Sequence, residues 1–239
     1  MVKYKSVNRK DACSQNMKKE IKGVLFDLDG TLANTLEDLS RSMNSMLAHF
    51  GFEQRNTEQI IDAICYGQRE FVIRSLPEEH RTDILLIDKC QAYYAEVYNG
   101  CDNLLTHPYD GIPEALRALS ERGIRLAVVT NKAQNHADAV IGKIFDEGIF
   151  DTVIGGLSGY APKPDPSSAL GAAQIMNVDA NECVFVGDSD VDIFTGKNAG
   201  MLTLGVSWGY RSRQVLEEAG ADLVADTPGQ MLEILLSFC

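Results

Sequence analysis

Four short segments of this chain carry side chains that could do chemistry, and three of them follow a predicted β-strand. In the segment 21–35, IKGVLFDLDGTLANT, an apolar run ends in Asp27, Asp29 and Gly30. Residues directly after parallel strands lie at the carboxyl edge of the sheet, where open α/β folds bind ligands. Because side chains alternate between the two faces of an extended chain, the carboxylates of Asp27 and Asp29 would point to the same side. The pattern is also typical of an Asp-Gly turn followed by a helix cap, so both interpretations stay open.

Two further segments offer groups that suit phosphoryl oxygens. Thr130 and Asn131 follow a strand predicted over 124–129 and precede a helix, so a hydroxyl and an amide lie beside free helical N–H groups. Lys163 stands between two prolines that restrict the backbone, which suits a cation held toward a phosphate. The alternatives are a helix cap without a ligand and a proline-rich loop with an incidental lysine.

A second acidic cluster follows the strand predicted over 183–186. Asp188, Asp190 and Asp192 lie within five residues, and such carboxylates are costly to bury unless a cation is near. Magnesium takes hard oxygen ligands and shares the substrate phosphate. Asp188 is therefore predicted to be a direct ligand and Asp192 a second contact or a support. The alternative is that these residues only favour a helix N-terminus.

The composition excludes several classes of partner. A formal net charge of −12 would repel nucleic acid and anionic membranes, and no apolar run approaches the roughly 18 residues of a membrane span. Six cysteines without CxxC spacing fit reduced thiols in a cytoplasmic protein better than disulfides or a zinc site. The polar first residues lack the apolar core of a secretion signal, so 1–20 is predicted to be a flexible extension.

From residue 104 onward, predicted strands and helices alternate, which indicates a parallel sheet with right-handed crossovers. Between 36 and 103 the apolar spacing is helical throughout. The predicted fold class is α/β: a Rossmann-like parallel sheet with helices on both faces, plus an inserted all-helical domain. We expect a core domain at 21–35 and 104–239, a helical domain at 36–103, and a two-part hinge in which 32–36 pairs with 104–110.

Together the four segments closely resemble the haloacid-dehalogenase-like hydrolase superfamily. The matching motifs are DLDGT at Asp27, TNK at Thr130, the proline-flanked Lys163 and GDSDVD at Asp188. TNK, APKPDP and the later GVSWGYRS look most like its phosphoglycolate phosphatase branch. The resemblance covers nearly all of the chain after the extension and is weak in the helical domain. One departure is Asn34, where related members commonly have an aspartate, and this weakens the substrate assignment without touching Asp27.

The resemblance implies a role for each matched residue. Asp27 would be the nucleophile that forms an aspartyl-phosphate, and Asp29 the acid that protonates the leaving oxygen and then the base that activates water. Mg²⁺ would be held by Asp27, by Asp188 and by the backbone carbonyl of Asp29, with Asp192 behind them. The phosphoryl oxygens would be bound by Thr130, Asn131 and Lys163. Two unit charges 4 Å apart repel by roughly 4 kcal/mol at an intermediate dielectric. Mg²⁺ and Lys163 would screen that repulsion between nucleophile and phosphate.

The expected function is that of a Mg²⁺-dependent phosphatase acting on a small phosphorylated metabolite such as phosphoglycolate, as a monomer or homodimer. In this superfamily such an insertion is a mobile cap that closes over the site and selects the substrate. Gly67 and Arg69 are candidate specificity residues, because the glycine interrupts two helical stretches and the arginine could meet a carboxylate. The alternative is a surface turn. The four histidines are expected in surface or capping roles, and Trp208 and Tyr210 either flank the site or pack.

Several rival functions stay open. A phosphosugar mutase, a pyrophosphatase and a nucleotidase of the same superfamily would use the same chemistry. A phosphonate hydrolase fits less well, because that branch forms a Schiff base on a cap lysine and the helical domain has only Lys89. A non-catalytic binding protein is opposed by the intact Asp27, Asp29, Lys163 and Asp188.

Overall fold

The computed structural model describes residues 20–238. The extension predicted at 1–20 lies outside these residues except for Glu20. None of the helices in this part of the chain combines the length and apolar character that a membrane span requires.

A six-stranded parallel sheet forms the centre of the fold. Numbered in chain order, its strands lie side by side as β5 (Thr152–Gly156), β4 (Arg125–Ala133), β1 (Gly23–Phe26), β6 (Cys183–Gly187), β7 (Leu202–Val206) and β8 (Leu223–Ala225), and every neighbouring pair is parallel. All four residues of β1 are buried, because β1 pairs with β4 on one side and β6 on the other. The predicted α/β class is confirmed, and the carboxyl ends of β1, β4 and β6 share one edge.

Helices cover both faces of this sheet. Alternation along β1 directs Val24 and Phe26 into one apolar layer and Leu25 into the other. The first layer contains residues from α5 (Ile112–Glu121), α6 (Gln134–Ile144) and α10 (Pro228–Leu236). On the second side lie α7 (Ser167–Met176) and α8 (Asp190–Asn198), where Gly196 of α8 approaches Phe185. The short helix α9 (Arg213–Glu218) contacts β7 and β8.

Between residues 36 and 99 the chain forms four α-helices: α1 (Leu36–His49), α2 (Thr57–Ala63), α3 (Gln68–Ser75) and α4 (Ile84–Asn99). We refer to residues 36–99 as the helical insertion. It buries an apolar core of its own, centred on residues such as Met43, Met46 and Phe71. Tyr210, from the loop after β7, is also part of this core. The insertion is therefore packed internally and also held against the sheet.

A short ribbon joins the insertion to the sheet. Strands β2 (Ala33–Asn34) and β3 (His107–Pro108) pair antiparallel. Asp38, in the first turn of α1, accepts hydrogen bonds from the Leu105 N–H (3.1 Å) and the Thr106 hydroxyl (2.7 Å). The predicted pairing of 32–36 with 104–110 is confirmed, although only two residues of each segment take part.

The strand β4 runs past its predicted end at Val129 to Ala133, and its register with β5 shifts in this last part. Two glycines of β5 make room for the irregular backbone. A Cβ on Gly155 would lie 2.6 Å from a Cα at the β4–α6 junction, and one on Gly156 would lie 2.8 Å from the Asn131 carbonyl oxygen. Any larger residue would push this part of β4 away.

Candidate active site

The carboxyl edge of the sheet brings three buried aspartates together. Carboxylate oxygens of Asp27, Asp188 and Asp192 all lie within 4.8 Å of one another. The buried Lys163, from the loop before α7, places its Nζ 2.9 Å from Asp27 Oδ1 and 2.6 Å from Asp192 Oδ1. Lys163 therefore contacts two of the three aspartates, Asp27 and Asp192.

Hydrogen bonds from nearby loops fix two of these carboxylates. Asp188 accepts from the Thr31 hydroxyl (2.8 Å) at Oδ1 and from the Tyr210 N–H (2.7 Å) at Oδ2. Asp192 lies in the first turn of α8, where its Oδ2 accepts from the N–H (3.0 Å) and hydroxyl (2.6 Å) of the capping Ser189. The start of α8 thus holds one oxygen of Asp192 and leaves the other for the lysine.

Asp188 fits between two glycines. Gly30 has a φ of 88°, which few residues with a side chain adopt, and a Cβ there would lie 2.4 Å from Asp188 Oδ2. A Cβ on Gly209 would lie 2.4 Å from Asp188 Cβ. Glycine at position 30 is therefore required both by its backbone conformation and by the close approach of the carboxylate.

The electrostatics of the cluster are unfavourable for three ionised carboxylates. Burial raises the pKa of Asp27 from 3.8 to about 6, the Lys163 charge opposes this rise, and Asp192 and Asp29 add to it. Burial also raises the pKa of Asp188 well above its usual range, and the charges of Asp192 and Asp27 raise it further. Although burial lowers the pKa of Lys163, Asp192 and Asp27 raise it above its usual value, so the lysine stays charged.

A hard divalent cation fits this cluster. Its three carboxylates supply oxygen donors, which are the ligands that magnesium and similar cations prefer. Among residues 20–238, no donor forms a well-aligned hydrogen bond with the buried Asp27 Oδ1. An added positive charge would also offset the burial and the mutual repulsion that raise the pKa values of Asp27 and Asp188.

Asp29 lies in a different environment from Asp27. Its carboxylate receives the Nζ of Lys132 at 3.0 Å on Oδ1 and 3.2 Å on Oδ2, and the Thr35 hydroxyl at 2.7 Å on Oδ1. The Thr35 hydroxyl is in turn 2.9 Å from the hydroxyl of Tyr210. The two aspartates of the first motif therefore face different lysines.

Thr130 and Asn131 both lie at the site, but the Asn131 side chain already has protein partners. Its Nδ2 donates to the carbonyl oxygens of Cys65 (3.0 Å) and Lys163 (3.1 Å), and its Oδ1 accepts from the Lys163 N–H (2.8 Å). The amide thus ties the Lys163 loop to the helical insertion. A phosphate contact by this side chain would require one of these bonds to open.

A pocket lies between the aspartates and the helical insertion. It encloses about 560 Å³, part of which is open solvent. Its sheet side consists of Asp27, Asp29, Thr130, Asn131, Lys132, Ala133, His136 and Lys163, and its insertion side of Leu39, Ile64, Cys65, Gly67, Gln68, Phe71, Tyr94 and Tyr98. The base of the pocket is therefore charged, whereas its roof is mostly apolar.

The structure separates the two candidate specificity residues. Gly67, which has a φ of 87°, lines the pocket together with Gln68. Arg69 lies outside the pocket lining, where its guanidinium contacts Asp88 Oδ1 (2.7 Å) and Gln91 Oε1 (2.8 Å) at the surface.

Trp208 and Tyr210 pack against the first motif. The indole N–H of Trp208 donates to the Thr31 carbonyl oxygen (3.1 Å). Tyr210 is buried and approaches Thr35, the residue that bonds Asp29. Both aromatic residues therefore flank the site and also support its backbone.

The sequence analysis does not predict the two ionisable residues Lys132 and His136 on the sheet side of the pocket. The expected surface or capping role is wrong for His136, which is only 8% exposed and lies 2.7 Å from Asn99 Oδ1. Burial, followed by the charge of Lys132, lowers the pKa of His136 to about 4, so it is neutral at physiological pH. The sequence pattern gives Lys132 no role beyond its place in the TNK motif. Its position directly after Asn131, four residues before the histidine, was the available signal.

The sequence of this chain is similar to those of known proteins. Residues 24–206 match the family model of the haloacid dehalogenase-like hydrolases. The phosphoglycolate phosphatase of Haemophilus influenzae is 33% identical over 228 residues, which span 92% of this chain and 100% of that protein. The phosphoglycolate phosphatase of Aquifex aeolicus is 33% identical over 78% of this chain and 85% of its own length.

Solved structures agree with this similarity. The crystal structure of a predicted phosphoglycolate phosphatase from Haemophilus somnus has a TM-score of 0.83 and 27% identity, covering 90% of this chain and 97% of that one. The crystal structure of CbbY from Rhodobacter sphaeroides in complex with phosphate has a TM-score of 0.71 and 25% identity. The match covers 88% of this chain and 96% of that one.

Proposed function

Because this chain belongs to the haloacid dehalogenase-like hydrolase family, we propose that it is a Mg²⁺-dependent phosphatase. It hydrolyses a small phosphomonoester, such as phosphoglycolate, through an aspartyl-phosphate intermediate. The observation that carries this proposal is the buried cluster of Asp27, Asp188, Asp192 and Lys163 at the base of a pocket. The names of the curated relatives and the phosphate bound to CbbY support the substrate class.

In the first step a carboxylate oxygen of Asp27 attacks phosphorus. The bond between phosphorus and the leaving oxygen breaks, and Asp29 donates its proton to that oxygen. Asp29 then accepts a proton from water, whose oxygen attacks the phosphorus of the aspartyl-phosphate. Inorganic phosphate leaves and both carboxyl groups return to their starting states.

Charge screening makes the first step possible. Mg²⁺, held by Asp27, Asp188 and the Asp29 carbonyl with Asp192 in support, would neutralise negative charge around the phosphoryl group. Lys163 contributes a fixed ammonium next to the nucleophile. Thr130 would donate to a phosphoryl oxygen, and Asn131 would hold the Lys163 loop in place.

We extend the proposal to the domains. Residues 36–103 act as a cap over a core made of 21–35 and 104–239. Contacts between the two parts include the Asn131–Cys65 bond and a hydrogen bond from Arg211 Nη1 to the Ile61 carbonyl oxygen (2.6 Å). These bonds hold the cap against the core, and we propose that the cap excludes water from the site during the reaction. A cytoplasmic location remains a prediction.

The test is phosphate release from phosphoglycolate and from p-nitrophenyl phosphate, with Mg²⁺ and with EDTA. We expect activity in Mg²⁺, loss in EDTA, and a fall of at least about a thousandfold in kcat for Asp27→Asn, because a covalent nucleophile is removed. The matched control is Asp110→Asn at an exposed aspartate. Undiminished activity of Asp27→Asn would rule out this nucleophile, and isomerisation of a sugar phosphate without net hydrolysis would indicate a mutase.

A further inference from the structure

Lys132 is a buried cation that the proposed reaction does not yet use. Its side chain is 4% exposed, and its Nζ bridges both carboxylate oxygens of Asp29 at 3.0 and 3.2 Å. The same ammonium lies 4.8 Å from the ring centroid of Tyr98 in α4. A lysine is rarely buried without a specific partner, because its ammonium group loses its hydration.

The surroundings of Lys132 direct it to Asp29 alone among the acidic groups of the pocket. Asp27, the other aspartate that lines the pocket, is paired with Lys163. His136 is neutral, and the Tyr98 hydroxyl, which donates to Asn103 Oδ1 (3.2 Å), also interacts with the Lys132 ammonium group. The aromatic face of Tyr98 attracts the ammonium group from the insertion side, so Lys132 is held between the cap and Asp29.

The carboxyl group of Asp29 is thereby fixed at both oxygens. Thr35 donates to Oδ1, and Lys132 contacts Oδ1 and Oδ2. A general acid works only if its oxygen lies within hydrogen-bond reach of the atom that it protonates. The backbone of Lys132 is set in turn by the irregular end of β4, which the glycines of β5 accommodate.

We propose that Lys132 is the positioning residue for Asp29: its ammonium group holds the carboxyl group in the orientation from which it protonates the leaving group. This inference rests on the proposed function, because it assigns Asp29 to leaving-group protonation. The rival is that Lys132 binds an anionic group of the substrate directly. The two differ in which substrates depend on the lysine.

Three substrates separate these possibilities. Phosphoglycolate has a poor leaving group and a carboxylate, glycerol 2-phosphate has a poor leaving group without a carboxylate, and p-nitrophenyl phosphate has a leaving group that needs little protonation. The variant is Lys132→Met, which keeps the length and removes the charge. The matched control is Lys89→Met at an exposed position of α4. Lys132→Gln serves as a second variant, judged by the same criteria, in case the methionine variant does not fold.

We expect kcat to fall about a hundredfold or more for phosphoglycolate and for glycerol 2-phosphate, the range associated with general acid catalysis. The first-turnover release of p-nitrophenolate should stay within about threefold of wild type, because this group leaves without a proton. The KM of glycerol 2-phosphate should change little, and the Lys89 variant should match wild type.

Three results would overturn the inference while wild type remains active. Unchanged kcat for both poor leaving groups would show that Lys132 does not act through Asp29. A loss confined to phosphoglycolate, with raised KM, would assign Lys132 to the substrate carboxylate. Loss of the first-turnover p-nitrophenolate release would indicate a merely structural role. A wild-type protein inactive on all three substrates would instead overturn the proposed function, and this inference with it.

Discussion

Replacing Asp27 by asparagine should stabilise the metal-free protein even though it abolishes the proposed activity. The pKa of Asp27 is about 6 in the folded protein against 3.8 ordinarily. This difference of about two pKa units corresponds to about 3 kcal/mol of stability lost when the carboxyl group ionises. Asparagine has the same shape without the charge, and Lys163 keeps its 2.6 Å contact with Asp192.

The pH dependence of this penalty follows from the direction of the shift. Below pH 3.8 the carboxyl group is protonated in both the folded and the unfolded state, so Asp27 does not lower the free energy of unfolding. Between pH 3.8 and about 6 the unfolded state releases its proton first, so stability falls as the pH rises. Above about 6 the penalty is complete, and measurements at pH 7.5 show all of it.

Thermal unfolding in EDTA at pH 7.5 tests this expectation. For a chain of this length, about 3 kcal/mol corresponds to a rise in Tm of roughly 6–12 °C for Asp27→Asn, while the exposed Asp110→Asn should leave Tm nearly unchanged. Mg²⁺ should raise the Tm of wild type more than that of Asp27→Asn, because the variant has lost a ligand. A wild-type protein at least as stable as Asp27→Asn in EDTA would refute the view that Asp27 is destabilised by its neighbours.

Three further predictions concern the frame of the site. Asn131→Ala removes the bond to the Cys65 carbonyl and both bonds to the Lys163 backbone, so kcat/KM for phosphoglycolate should fall by at least about fivefold, the equivalent of one hydrogen bond; an unchanged kcat/KM would contradict the view that this amide holds the Lys163 loop and the insertion together. Gly155→Ala places a methyl group 2.6 Å from backbone and should cost about 1–3 kcal/mol in urea unfolding, whereas Gly142→Ala, which meets no atom within 4 Å, should not. Because the pKa of His136 falls from 6.5 to about 4 on folding, its contribution to stability is complete above pH 6.5 and is lost as the pH falls toward 4. His136→Gln lacks this loss, so the Tm of the variant relative to wild type should rise as the pH falls from 6.5 to 4, and a difference that does not change with pH would contradict the shift.

Much of the fold was predictable because its signals are local. Buried strands such as β1 and β6 read as short apolar runs, and the residues after them fall at one sheet edge in any parallel arrangement. The helical insertion was recognisable from its apolar spacing. The extension of β4 to Ala133 was not predictable, because it depends on two glycines of a neighbouring strand about twenty residues further on.

Pairings between distant residues limited what could be said of the site. Lys132 and Asp29 are separated by 103 positions, and Asn131 and Cys65 by 66. Each of these side chains has several plausible partners in the sequence, and only the packing of the insertion against the sheet selects one. The same packing moves His136 from an expected surface position into the pocket and leaves Arg69 outside it.

By itself the sequence determined which residues could do the chemistry, since the carboxylates, the lysine and the hydroxyl follow strands or lie in a restricted loop. Tertiary structure decided how their charges are divided: Lys163 lies with Asp27 and Asp192, and Lys132 lies with Asp29. The physical reason is that a buried charge is stable only beside a counter-charge. Which counter-charge is adjacent depends on strand order and on one irregular strand end, neither of which is a local property of the chain.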